Sequence, residues 1–148
     1  GDAQILVFGM GRVGTGVYDT LLKRYGSNLL GIDYDIDVVE KHQQEGRNVI
    51  IGDATDIDFW ERLRPGTVKL ILLDMPNIRE ALTTMRIIKR TPYAGLIAAS
   101  AKHDDCISTL KEAGVHSVFN IYAEAGSGFA SHVCEDLKFS LEPNGHKA

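Results

Sequence analysis

Two cysteines in 148 residues are too few for a disulfide scaffold, and Cys106 and Cys134 stand in no CxxC or metal-ligand spacing. They read as reduced thiols in a cytosolic setting. No apolar run approaches the roughly 18 residues of a transmembrane helix. No basic segment leading into an apolar stretch opens the chain, so no signal peptide is expected. A basic surplus is missing too: 16 Lys and Arg against 20 Asp and Glu leave a net charge of −4. That argues against a nucleic-acid footprint. Neither HExxH nor GxSxG occurs, and Gly126-Ser127-Gly128 lacks the nucleophile-elbow pattern. Repeats, low-complexity tracts and linkers are absent as well. With 44% hydrophobic and 24% charged residues, the composition is that of an ordinary soluble globule. At this length one domain is expected, burying roughly 68–70% of its unfolded surface.

What is present is periodicity. Residues 4–8 form a short continuous apolar run ending on a glycine, the pattern of a strand buried on both faces of a parallel sheet. Further apolar runs recur at 28–32, 48–51, 68–73, 95–99 and 117–121. Val13, Val17 and Leu21, spaced four apart, begin a helix after the first run. Amphipathic stretches at 36–45, 56–63, 78–90 and 104–113 separate the others. Ile78, Ala81, Leu82, Met85 and Ile88 share one helical side. Asn77 with Glu80, and Thr55 with Asp58, are helix-start signals. The alternation predicts an α/β fold: a Rossmann-like, doubly wound parallel sheet of six strands, in three layers with six helices. The domain is expected over 4–138, with 1–3 and 142–148 as frayed or appended ends.

Directly after the first strand stands Gly9-Met10-Gly11-Arg12-Val13-Gly14, a GxGxxG, with Gly16 beyond it. Gly9 permits a tight turn out of the strand, Gly11 lets a pyrophosphate approach the backbone, and Gly14 lets the helix lie close to the sheet. That helix offers free N–H groups and a positive dipole end to phosphates. Asp33, followed by Tyr34, closes the second strand near the expected spacing of about 20 residues past the glycines. A carboxylate there accepts hydrogen bonds from ribose hydroxyls and repels a 2′-phosphate. NAD or an adenine mononucleotide is therefore expected over NADP. The bland alternative is that the glycines only pack a strand against a helix. Arg12 reads either as a bidentate phosphate clamp or as a solvated residue of the first turn. Asp53, in Gly52-Asp53-Ala54-Thr55 after the third strand, reads either as an acceptor for an adenine amino group or as a helix cap. Asp74, Met75 and Ala99 fall at carboxyl ends of strands four and five, the edge where open α/β sheets bind ligands.

The chemistry of turnover is harder to find. A dehydrogenase needs a substrate pocket and an acid/base group at the nicotinamide, and after the sixth strand there is length for one helix and a tail. The five histidines, His42, His103, His116, His132 and His146, are scattered, and His103-Asp104-Asp105 reads as a polar helix start. No metal or nucleophile site is expected. The residues predict a nucleotide-binding, non-catalytic domain, with the cofactor half of an NAD-dependent oxidoreductase as the alternative.

Taken together, Gly9-Met10-Gly11-Arg12-Val13-Gly14, Gly31-Ile32-Asp33, Gly52-Asp53-Ala54-Thr55 and Leu110-Lys111-Glu112-Ala113-Gly114-Val115 resemble the regulatory RCK domain, also called KTN or the TrkA N-terminal domain. The chain is most similar to the cytosolic domain of Kef-type glutathione-regulated potassium-efflux antiporters. The resemblance implies a regulatory domain that binds NAD(H) or AMP, forms a homodimer and gates an attached or associated potassium pathway. Gly9, Gly11, Arg12 and Gly14 would then hold phosphate, Asp33 the ribose, and Asp53, Ala54 and Thr55 the adenosine. It further implies that the chain belongs to a membrane-embedded transporter, or attends one, at the cytoplasmic face of the inner membrane. Kef domains carry Ala-Arg-Ala-Arg after strand five, where this sequence has Ala99-Ser100-Ala101-Lys102. Lysine lacks the planar fork that grips a carboxylate. Control by nucleotide is therefore a better expectation than control by glutathione, although Arg12 and Glu124 keep matching places.

In the last helix, Ile121, Ala125, Phe129, Val133 and Leu137 form an i, i+4 stripe with little of their own domain left to cover. Such a stripe is expected to meet a partner surface, most simply a second copy; the alternative is that it folds back on its own sheet. Gly126 and Gly128 each weaken the helix by roughly 1 kcal/mol relative to alanine and suggest close backbone approach.

Overall fold

The computed structural model describes residues 3–63 and 66–142; the outermost parts of the expected frayed ends, 1–2 and 143–148, lie outside the described residues. Ala3 packs against the core, and its carbonyl accepts the Thr67 hydroxyl at 2.9 Å. The strands are β1 (Ile5–Phe8), β2 (Leu29–Asp33), β3 (Val49–Ile51), β4 (Leu70–Leu73), β5 (Leu96–Ala101) and β6 (Ser117–Asn120). They alternate with α1 (Arg12–Tyr25), α2 (Ile36–Gln44), α3 (Ile57–Leu63), α4 (Ile78–Lys89), α5 (Asp105–Glu112) and α6 (Ile121–Asp136). All six strands pair in parallel, in the order β3-β2-β1-β4-β5-β6. This is the Rossmann-like doubly wound sheet that the alternation predicts.

Every residue of β1 is buried, and the period of two divides them between two cores. Leu6 and Phe8 join Trp60, Ile71, Leu73, Met85 and Ile97 on one side. Ile5 and Val7 join Tyr18, Leu29, Val39 and Val49 on the other. Phe8 stacks on Trp60 with ring centroids 5.0 Å apart and meets Phe59 edge-on at 6.1 Å. This aromatic group roots α3 beneath the end of β1, and truncating Trp60 to alanine costs about 3–5 kcal/mol.

Two expected boundaries move. β5 runs two residues further than its apolar run, because Ser100 and Ala101 pair with Phe119 and Asn120 of β6. The helix start expected at Thr55 falls one residue later. Asp56 Oδ1 accepts the Asp58 N–H at 3.0 Å, while Asp53 Oδ1 draws Thr55 into its own turn, accepting its N–H at 2.8 Å and its hydroxyl at 2.7 Å.

Sheet coverage is incomplete. On the face carrying α1 and α2, Leu96 and Phe119 of β5 and β6 are 58% and 55% exposed. Helix α6 does not fold back to cover them: none of its residues is buried, and Phe129 is 72% exposed. A Cβ added at Gly126 or Gly128 meets nothing within 4 Å, so the close backbone approach those glycines suggest is not made among the described residues.

Candidate functional site

The strand order reverses between β1 and β4, so the segments that follow them leave for opposite faces. A crevice opens at the carboxyl edge between them. Its volume is about 420 Å³, within the range of roughly 300–1,000 Å³ usual for small-molecule sites. Of the residues expected there, Gly9, Gly11, Arg12, Val13, Asp33, Tyr34, Asp53, Ala54, Thr55, Asp74 and Met75 line it. Met10 and Gly14 do not; the Met10 side chain is buried behind the glycine turn against Gly31, and Gly14 faces the Gly9 carbonyl. Ala99 does not either. It is buried inside β5, whose extension carries the edge to Lys102.

The three glycines of the turn are there for different reasons. Gly9 has φ +95°, and a Cβ on it would strike the Asp74 carbonyl. A Cβ on Gly14 would strike the carbonyl of Gly9. Gly11 has an ordinary φ of −76°, and a Cβ there meets nothing within 4 Å. Packing accounts for Gly9 and Gly14 but not for Gly11, which leaves open space above the start of α1.

That helix start is chemically open as well. Asp35, Asn77 and Asn120 cap α2, α4 and α6 with their side chains, and each of those helices has an acid in its first turn. Helix α1 has neither a side-chain cap nor an acid. The N–H groups of its first turn have no helical partner, and its positive end carries no acid of its own. Arg12 stands exposed at the rim with no ion-pair partner among the described residues.

The walls are rich in acceptors. Asp33 Oδ2 accepts the Met10 N–H at 2.9 Å, and Oδ1 accepts the Asp35 N–H at 2.9 Å. This carboxylate therefore braces the turn and still keeps lone pairs on both oxygens. Asp53 closes a turn onto Thr55 instead of capping α3, and the intervening Ala54 carbonyl is pinned by Trp60 Nε1 at 2.8 Å and the Thr84 hydroxyl at 3.3 Å. Asp74 Oδ1 accepts the Ser100 hydroxyl at 2.6 Å. Asp35 and Glu80, which sequence reasoning did not place at the site, also line the crevice, as does Lys102, the lysine that stands where Kef domains carry an arginine. Lys102 directly follows β5, so it becomes legible once that strand is read through Ala101. His42, one of the five scattered histidines, is buried, and its Nε2 lies 2.7 Å from the Met10 carbonyl. Its signal is the spacing of three from Val39 along the inner face of α2.

Five carboxylates and two cations thus surround an anion-ready helix start. The arrangement suits a ligand with one anionic group and several hydroxyl or amine donors. Among the described residues no cluster of three or more His, Cys, Asp or Glu is placed to hold a metal. A larger hollow of about 760 Å³ lies at the opposite sheet edge, between α3 and the end of α4, lined by Trp60, Ile87 and Tyr93 among others.

The sheet order, the glycine turn and the acid ending β2 define a Rossmann-like domain. Residues 5–121 match the model of the TrkA-N domain, and the chain belongs to that family. It is 28% identical over 131 residues to a putative K(+) efflux antiporter, KefB, of Alkalimonas amylolytica, covering 88% of this chain and 20% of that protein. It is 29% identical over 114 residues to the glutathione-regulated potassium-efflux system protein KefC of Escherichia coli, covering 76% and 18%. The chain spans about a fifth of the length of these curated relatives.

Solved structures share the fold. The NAD(P)-binding domain of an exopolyphosphatase-related protein from Archaeoglobus fulgidus superposes with a TM-score of 0.80 at 18% identity, over 90% of this chain and 98% of that one. The TrkA-N domain of the Escherichia coli inner membrane protein ybaL gives 0.75 at 23%, over 88% and 96%. The AMP-bound Kef C-terminal domain of Shewanella denitrificans gives 0.71 at 21%, over 92% and 82%. No helix among the described residues is long and apolar enough to cross a membrane.

Proposed function

We propose that this chain is a regulatory domain that binds NAD(H) or AMP in the β1/β4 crevice and controls a potassium-efflux antiporter or a related potassium transport system. The observation that carries the nucleotide reading is Gly11, a glycine that neither its backbone angle nor its packing requires, set over an uncapped helix. Phosphate sits on the first turn of α1 beside Arg12, ribose hydroxyls donate to Asp33, and the base lies toward Asp53, Ala54 and Thr55. A 2′-phosphate beside Asp33 is repelled, which sets NADPH apart. The transport role is supported by the potassium-efflux relatives and by the AMP held in the Kef domain of the same fold. On this reading the remainder of the protein lies in a membrane, with this domain at its cytoplasmic face.

A second copy of the chain completes the domain. Each copy offers an uncovered β5–β6 face and an unburied apolar helix, so a twofold pair can cover both at once. The nucleotide acts by binding one arrangement of that pair better than the other, and shifts the balance only by that difference in affinity.

A thermal-shift panel of AMP, NAD⁺, NADH, NADPH and ATP tests the nucleotide reading. A ligand at about 100 times its Kd adds roughly 2.7 kcal/mol. Stabilisation by AMP or NAD(H) but not NADPH is expected. No shift with any of the five, with no nucleotide released on denaturation and seen by mass spectrometry, overturns it.

A further inference from the structure

We propose that His42 is a positioning residue for the phosphate-binding turn, holding the Met10–Gly11 peptide so that the Gly11 N–H faces the crevice. The inference rests on the nucleotide reading of that crevice. His42 lies on α2 behind the glycine turn and is 7% exposed. Its Nε2 is 2.7 Å from the Met10 carbonyl and 3.3 Å from Thr15 Oγ1, and the Thr15 hydroxyl donates to the same carbonyl at 3.1 Å. Its Nδ1 is 3.2 Å from Arg47 Nη1.

These partners settle the ring's roles. A guanidinium only donates and a carbonyl only accepts. Nδ1 therefore accepts from Arg47, and Nε2–H donates to Met10. Arg47 is itself fixed, donating to both carboxylate oxygens of Asp19 at 2.9 Å and to Glu45. The Met10 N–H is held by Asp33, so both backbone polar groups of Met10 are gripped by side chains from β2 and α2.

In a trans peptide the carbonyl and the following N–H point in opposite directions. With the Met10 carbonyl turned toward α2, the Gly11 N–H points away from α2, and Gly11 lines the crevice. That N–H has no protein partner among the described residues. Without the His42 donor the peptide is freer to rotate, exchanging a donor to phosphate for a repelling carbonyl. His42 thus acts on the ligand's phosphate and not on its nucleoside.

Titration calorimetry of the 148-residue chain with AMP and with adenosine separates the two. In His42→Leu, AMP affinity is expected to fall about tenfold or more, the scale of one charge-assisted hydrogen bond, while adenosine affinity stays within about twofold. His42→Gln, whose amide can still donate to Met10, restores most of the AMP affinity. In the parent chain the Gly11 amide resonance moves on adding AMP but not adenosine, and in His42→Leu this response is lost. Equal losses for both ligands, or unchanged AMP binding in His42→Leu, overturn the proposal. If His42→Leu does not fold, the parent chain decides: a Gly11 amide resonance that does not move on adding AMP, or that moves equally with adenosine, overturns it as well. A parent chain that binds neither ligand fails the nucleotide reading itself, and the positioning role fails with it. Binding by the parent with unselective losses in the variants fails the positioning role alone.

Discussion

Truncating Asp33 to alanine is expected to change two quantities at once, because this carboxylate has two kinds of work. In the free protein it accepts the N–H groups of Met10 and Asp35. Hydrogen bonds to a charged group are worth about 1.5–3 kcal/mol, and water partly replaces them at a half-buried site, so a total loss of about 1.5–3 kcal/mol is expected. For a chain of this size each kcal/mol moves Tm by about 2–4 °C, giving a fall of roughly 3–12 °C without ligand. In the complex the same oxygens lose the ribose hydroxyls, which weakens AMP by about 10–100-fold. At an AMP concentration 100 times the parent Kd, the parent gains about 2.7 kcal/mol, whereas the variant retains about 0.4–1.4 kcal/mol. Differential scanning fluorimetry with and without AMP reads both effects, with calorimetry giving Kd directly. A lowered Tm with the full ligand increment refutes the ribose assignment and leaves the bracing role. An unchanged Tm without ligand refutes the bracing role. Unchanged values for both refute the whole account of Asp33.

Other perturbations follow from the same geometry. Gly11→Ala is expected to lower Tm by less than about 1 kcal/mol's worth yet abolish nucleotide stabilisation, while Gly14→Ala destabilises by about 1–3 kcal/mol through overpacking against Gly9; thermal scans with and without AMP distinguish them. Phe129→Asp on the unburied face of α6 is expected to leave the fold intact by circular dichroism and convert a dimer to a monomer in sedimentation velocity; a parent chain that sediments as a monomer overturns the pairing. Hydrogen bonding from Arg47 holds the Asp19 carboxyl below its ordinary 3.8. The pair's stabilisation is therefore present above that value and lost as pH falls through the lowered one. The Tm difference between the parent and Asp19→Asn is expected to be largest near neutrality and to close below about pH 4; a pH-independent difference refutes the linkage.

How much of this was legible beforehand depends on what each residue's neighbours are. β1 is buried on both faces, so its run of apolar residues announces itself, and the glycine turn and Asp33 follow at spacings set by the chain itself. The end of β5 was not legible. Ala99-Ser100-Ala101 has weak hydropathy, and what makes it strand is pairing with β6, a long-range contact. His42 was hidden for a related reason. It stands between Lys41 and Gln43, and only the tertiary position of Met10 and Arg47 gives its polar ring a buried place. The apolar stripe of α6 was plain in the sequence, but the bare β5–β6 face that matches it emerges only when the sheet is assembled.

The helix ends show why the crevice lies where it does. In a sheet wound this way every connecting helix begins near the carboxyl edge, so each brings unpaired N–H groups and a positive dipole end to that edge. α2, α4 and α6 are quieted by their own Asp35, Asn77 and Asn120, and α3 and α5 carry Asp58 and Asp105 in their first turns. Among the described helices only α1 is left without an internal anion or cap, and it is the helix whose preceding turn is gripped by Asp33 on one side and His42 on the other. An evenly uncapped sheet edge would attract anions without choosing a place for them. Quieting the competing helices and stiffening one open turn makes the choice, and puts the acceptors of β2 and β3 within the same crevice as that anion. The specificity proposed for a nucleotide therefore arises as much from the capped helices as from the uncapped one.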